Sequence, residues 1–155
     1  MERDDALKKG MDDSLRPLVT KGKDRTKMMA KVLKDSDPEI SMVVSSPFVR
    51  ALETAEIICE TYKIKTIHQC PELIPSAPPQ AFLMWLKNEA KGNSRIITVG
   101  HEPQLGLFAS WILAGTTLPF IEIKKSEIAA IELENFEELG PKSAHLKWLI
   151  GPKNF

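Results

Sequence analysis

Little in these 155 residues points toward a nucleic-acid or membrane partner. Net charge is absent: 21 Lys and Arg balance 21 Asp and Glu. The chain therefore lacks the electrostatic footprint of a protein that wraps nucleic acid or lies on anionic lipid, although local clusters can still bind a small anion. No apolar run approaches the roughly 20 residues of a membrane span, and the opening Met-Glu-Arg-Asp-Asp is not a signal peptide. The cytoplasm is the expected compartment. Cysteine is scarce: Cys59 and Cys70 stand alone, without a CxxC or a companion histidine pattern. That speaks against a thiolate metal site and for two reduced, structural thiols. Internal repeats, low-complexity tracts and an interdomain linker are also missing. One domain over residues 1–155 is expected, and folding at this length buries around two-thirds of the unfolded surface.

What is present alternates between strand and helix. Residues 1–18 are polar, contain no strand candidate, and read as a loop ending in a turn at Pro17. Met28, Met29, Val32 and Leu33 fall on one face opposite lysines, which predicts a helix over residues 20–33 that residues 35–38 break. Residues 40–45 predict an apolar strand, 48–62 a helix with Leu52, Ala55, Ile58 and Cys59 inward, and 66–69 a weaker strand. Four prolines make 71–79 a loop; 81–90 is then a helix carrying Phe82, Leu83, Trp85 and Leu86. A strand over 95–99 and a helix over 104–113, stopped by Gly115, follow. Residues 120–124, 129–133 and 144–150 are expected as the strands that close the sheet. Strand and helix in alternation over the first 115 residues imply an α/β fold of parallel βαβ units.

Two stretches share one grammar, a buried strand that turns polar at its carboxyl end, where open α/β sheets bind ligands. In Ile96-Ile97-Thr98-Val99-Gly100-His101-Glu102-Pro103, β-branched residues suit a strand buried on both faces. Gly100 relieves the backbone, His101 follows on a turn where side chains reach solvent, and Pro103 suits a helix's first turn. In Met42-Val43-Val44-Ser45-Ser46-Pro47-Phe48-Val49-Arg50, Ser46 is placed to cap a helix with Pro47 at its first position. Arg50 would then lie near exposed backbone N–H groups, and a cation beside free donors suits an anion.

Val-Gly-His-Glu-Pro (99–103) and Ser-Pro-Phe-Val-Arg-Ala-Leu-Glu-Thr (46–54), with Ser-Leu-Arg-Pro-Leu (14–18) upstream, resemble the histidine phosphatase superfamily, and within it the small phosphohistidine phosphatases of the SixA type. The closing Trp-Leu-Ile-Gly-Pro-Lys (148–153) is similar to that group's last strand, so the resemblance covers nearly the whole chain. It implies a three-layer α/β/α sandwich of the phosphoglycerate mutase-like kind, with a mostly parallel sheet and helices on both faces. It also implies hydrolysis of a phosphoryl group through a phosphohistidine intermediate, with no metal or cofactor. The partner would be a phosphorylated protein or a small phosphate ester, with no nucleic acid and no membrane.

By the same resemblance Arg16, Arg50 and His101 form a phosphate cage, converging on one pocket at a rim of the sheet. Phosphoryl transfer asks chiefly for a positioned nucleophile and fixed positive charge around the equatorial oxygens, and arginine's planar fork suits the second task. Taken alone, Arg50 on a first helical turn reads as a solvated charge, His101 as a hydrogen-bonded structural histidine, and Arg16 as a wet loop residue. Glu72, in Pro-Glu-Leu-Ile-Pro, is the candidate general acid. A phosphoramidate needs such help less than an alkyl ester, because its imidazole departs readily once protonated. His68 and His145 read as structural or surface residues.

One departure stands beside these matches. The family's Arg-His-Gly, which carries the nucleophilic histidine on the first strand, is absent. The resemblance implies that this strand is missing from the sheet, with the nucleophile expected upstream of Met1. The alternative reading is a non-catalytic module that binds phosphate or a phosphoprotein.

Overall fold

A buried four-residue strand organises the first part of the chain. The computed structural model describes residues 10–155, so the expected loop at residues 1–9 lies outside the described residues. Two compact units are present: the described part of Met1–Pro71 together with Ser94–Val99, and Glu72–Asn93 together with Gly100–Phe155.

In the first unit β1 (Met42–Ser45), β2 (His68–Gln69) and β3 (Ile96–Val99) form a parallel sheet in the order β2-β1-β3. Met42 to Ser45 pair in register with Ile96 to Val99, while Val44 and Ser45 face His68 and Gln69. Val43 and Val44 are fully buried, as the middle strand of a parallel sheet should be. The four residues of β3 are only half-buried, against the expectation of burial on both faces; among the described residues β3 is an edge of this sheet. Two helices cover it, α1 (Thr20–Ser36) and α2 (Val49–Tyr62). Helix α1 turns Thr26, Met29, Ala30 and Leu33 inward, and α2 turns in Ala51, Ala55, Ile57, Ile58 and Cys59. Ala30, Val43, Ala55, Ile58 and Cys59 form one apolar cluster, closed by Ile97 and Val99.

The start of α2 differs from expectation. Phe48, with extended φ −64° and ψ 140°, is the N-cap rather than Ser46, and Pro47 lies outside the helix. Ser46 Oγ instead accepts from the Phe48 N–H at 3.3 Å, a local turn that competes with helix and delays it by two residues. Arg50 becomes the second helical residue.

The second unit holds α3 (Pro79–Glu89), α4 (Gln104–Ala114), β4 (Ile128–Leu133) and β5 (Ala144–Ile150). Proline opens α3 at its first position, where a missing N–H costs nothing. Gly115 ends α4 in the left-handed region at φ 70°, its N–H on Trp111 O at 2.8 Å, as the sequence predicts. Phe82 packs edge-on against Phe108, with ring centroids 4.9 Å apart, and so joins α3 to α4. Strands β4 and β5 were expected to close the sheet. They pair antiparallel with each other in a separate two-stranded sheet, with a bulge between Ala130 and Ile131. Residues 120–124 form no strand: their β-branched alternation finds no partner ladder, and the segment is fixed instead by side chains such as Ser110, whose Oγ accepts from Phe120 N–H at 3.2 Å. Among the described residues no helix is long and apolar enough to cross a membrane.

Phe82 is 2% exposed and Met84, on the same helix, 58%. Phe82→Ala should lower the unfolding free energy by about 3–5 kcal/mol. Met84→Ala should stay within about 0.5 kcal/mol of the parent in the same urea titration.

Candidate active site

The arginines come first, because the first unit brings two of them onto one carboxylate. Residues Asp13–Leu15 make a single 3-10 turn, capped by Asp12, whose Oδ1 accepts from the Ser14 N–H at 2.9 Å. The turn presents Asp13 inward. Its Oδ1 accepts from Arg16 Nε at 3.1 Å, its Oδ2 from Arg50 Nη2 at 3.1 Å, and its main-chain carbonyl from Arg50 Nη1 at 2.8 Å. Arg16 arrives from the end of the turn, three residues on, and Arg50 from the start of α2, 37 residues away in the chain. Their side chains are 12% and 17% exposed, and that of Asp13 29%. The Arg50 guanidinium also lies 5.1 Å from the centroid of the Phe48 ring, within cation–π range. The segment after the turn is tied to the same helix, Leu18 N–H donating to Glu53 Oε2 at 2.6 Å.

Burial pushes the Asp13 carboxyl up, but the Arg16 hydrogen bond and the charges of Arg50 and Arg16 outweigh it and hold the group below its ordinary 3.8. Two guanidinium groups gathered in this way suit an oxyanion with several oxygens, since each offers a planar set of donors and stays charged.

The second unit carries His101 and Glu72. His101 is buried at 9% exposure, not on a solvent-facing turn as expected. The chain turns at once into α4, and the Leu105 N–H closes on His101 O at 2.9 Å, which draws the residue inward. Glu102 fixes the following bend: its Oε1 accepts from the Ile123 N–H at 3.2 Å. Burial pushes the Glu102 carboxyl above its ordinary value, against the lowering effect of the Ile123 and Gly106 N–H groups. A Cβ on Gly106 would meet Glu102 Oε2 and Ile121 O, each at 2.6 Å, so only glycine fits there. Gln104, fully buried at the head of α4, donates from Nε2 to Glu72 O at 3.4 Å. Glu72 itself lies in the 3-10 turn Pro71–Leu73. Among the described residues no group of three or more His, Cys, Asp or Glu is placed to hold a metal ion.

Of the residues singled out from sequence, Arg16 and Arg50 are brought together within the first unit; His101 and Glu72 belong to the second. His68 lies on an exposed strand, and exposed His145 meets Glu134 Oε1 at 2.6 Å through Nε2, both as expected. Asp13, Glu102 and Gln104 were not foreseen. An acid three residues before an arginine was the available signal for Asp13; nothing local ties it to Arg50.

Comparison with known proteins places the chain in a family. Residues 6–74 match the histidine phosphatase superfamily (branch 1). The phosphohistidine phosphatase SixA of Escherichia coli (strain K12) is 32% identical over 158 residues, covering 99% of this chain and 92% of that protein. An uncharacterized protein of Picosynechococcus sp. is 35% identical over 121 residues, 77% of this chain and 73% of the relative. Among solved structures, the protein histidine phosphatase SixA complexed with tungstate superposes with a TM-score of 0.80 at 28% identity, over 92% of this chain and 88% of that one. The fold is α/β and phosphoglycerate mutase-like.

Asp13 gives the site a pH signature. Its folded-state pKa lies below the unfolded value of about 3.8, so between the two the unfolded chain binds more protons. The stabilisation is complete above the unfolded pKa and is lost as pH falls through the folded one. The parent's lead in thermal midpoint over Asp13→Asn should therefore be constant from neutral pH down to about 5 and shrink below about 4. Gly106→Ala should be destabilising by about 1–3 kcal/mol in chemical denaturation, through overpacking against the Ile121 carbonyl and Glu102.

Proposed function

Because the chain belongs to the histidine phosphatase superfamily, we propose that it is a phosphohistidine phosphatase that takes a phosphoryl group from a protein histidine. In this reading Arg16 and Arg50 bind the equatorial oxygens, His101 completes the cage, and Glu72 serves as general acid. The phosphoryl group passes to a ring nitrogen of a nucleophilic histidine, the substrate imidazole leaves with a proton, and water then cleaves the new P–N bond. The observation that carries the proposal is the convergence of Arg16 and Arg50, from separate segments, on the one Asp13 carboxylate. Fixed positive charge of that kind stabilises the charge that develops on a transferring phosphoryl group. The burial of His101, directly after β3 and before α4, supports its assignment because enclosure limits the rotamers open to its ring.

The substrate preference follows from leaving-group chemistry. A protonated imidazole departs with little help, whereas an alkoxide needs a strong acid. A small phosphate ester is the weaker substrate in this reading. The balanced charge of 21 basic and 21 acidic residues argues against a nucleic-acid partner, and the cytoplasm is the proposed compartment.

A second reading has its own support. The same pair of arginines on one carboxylate would serve a module that binds phosphate without turning it over. Two measurements separate the readings. Turnover on a phosphohistidine protein is compared for this chain and for a version preceded by a strand ending in Arg-His-Gly. Calorimetric titration with tungstate is run on both. Binding with turnover in the extended protein is the expected result; binding without turnover favours the module. In the protein that turns over, Arg50→Ala should lower kcat by more than about tenfold with the fold intact by circular dichroism. Unchanged kcat would return Arg50 to the class of structural charges.

A further inference from the structure

Asp13 accepts two hydrogen bonds from Arg50, and it also holds Arg16. Two guanidinium groups drawn to one place repel each other, and long arginine side chains lose rotamer freedom when a ligand fixes them. Here both problems are met by a single residue. The carboxylate divides its oxygens between the arginines, Oδ1 to Arg16 and Oδ2 to Arg50, while its carbonyl takes a second nitrogen of Arg50. The bond to Arg16 engages Nε, so it restrains the plane of that guanidinium from behind.

We propose that Asp13 is a positioning residue: it holds Arg16 and Arg50 in the orientation in which they receive the oxygens of a phosphoryl group. The proposal rests on the reading of those arginines as phosphate ligands. Two effects of the carboxylate oppose each other. Its negative charge weakens the attraction of the arginines for an anion, whereas the order it imposes removes the cost of immobilising two rotamer-rich side chains on binding. The three groups are mostly enclosed, with 12%, 17% and 29% of their side chains exposed, and order is taken as the larger effect. The sign of the response to Asp13→Asn separates the two, since loss of charge alone would tighten anion binding.

The test is a cycle of tungstate titrations on the full chain: the parent, Asp13→Asn, Arg50→Ala and the double variant, with Asp13→Ser as a second neutral replacement should the asparagine fold poorly. Asp13→Asn is expected to weaken tungstate binding about tenfold, or about 1.4 kcal/mol. In the Arg50→Ala background the loss should fall to less than about threefold, because a residue that acts through its partner has little left to lose. Equal or tighter binding in Asp13→Asn, or the same loss with Arg50 already removed, overturns the proposal. If Arg50→Ala leaves tungstate binding unchanged, or the parent does not bind it, the phosphate reading itself has failed. Positioning is then decided by nuclear magnetic resonance of the arginine Nε–H groups, which needs no ligand. Arg16 should give a dispersed Nε–H resonance in the parent that moves to the solvent-averaged position in Asp13→Asn; an unmoved resonance overturns the proposal.

Discussion

The first unit depends on the pairing of β1 along both of its edges. Val43 and Val44 are shut off from solvent, and a buried strand must find a partner for each backbone N–H and C=O. It does so by pairing in parallel with β2 on one side and β3 on the other. The ladder continues past the strand: the Ser46 N–H donates to Val99 O at 2.9 Å, and the Cys70 N–H to Ser45 O at 2.8 Å. These bonds fix where the chain leaves the sheet, and therefore where α2 begins. Arg50, the second residue of α2, inherits its place from that exit.

A helix start fixed in this way can serve a charge that a loop residue could not hold alone. Arg50 lies against the Phe48 ring and bonds the Asp13–Leu15 turn, while Glu53, one turn further along α2, receives the Leu18 N–H. The turn that supplies Asp13 and Arg16 is thus anchored to α2 at both its ends. Salt bridges on open surfaces contribute little. This one is more enclosed, and its geometry, with one acid shared between two cations, matters more for where the guanidinium groups point than for net stability.

In the second unit the same economy of backbone bonds governs the segment around His101. The chain passes from strand to helix within a few residues, and Glu102 and Gln104 use side chains to fasten that bend to residue 123 and to the Glu72 turn. Gly106 permits the close approach of Glu102 and of the Ile121 carbonyl, which any larger residue would block. Glycine here records a packing constraint within a helix, where its weak helix propensity would otherwise count against it.

Periodicity and punctuation in the sequence determined the four helices to within a few residues at each end, the strands β1 and β3, the loop character around the prolines, and the glycine stop at Gly115. Each follows from local rules, since a helix face repeats every 3.6 residues and proline and glycine act on their own backbone. Motif order also marked Arg16, Arg50 and His101. Tertiary structure alone decided that β4 and β5 pair with each other, that residues 120–124 stay irregular, and that His101 is buried, because strand partners and burial depend on segments far away in the chain. It alone disclosed Asp13 as the common partner of two arginines: the Arg16 contact spans one turn, but the Arg50 contact exists only once α2 has been docked on the sheet.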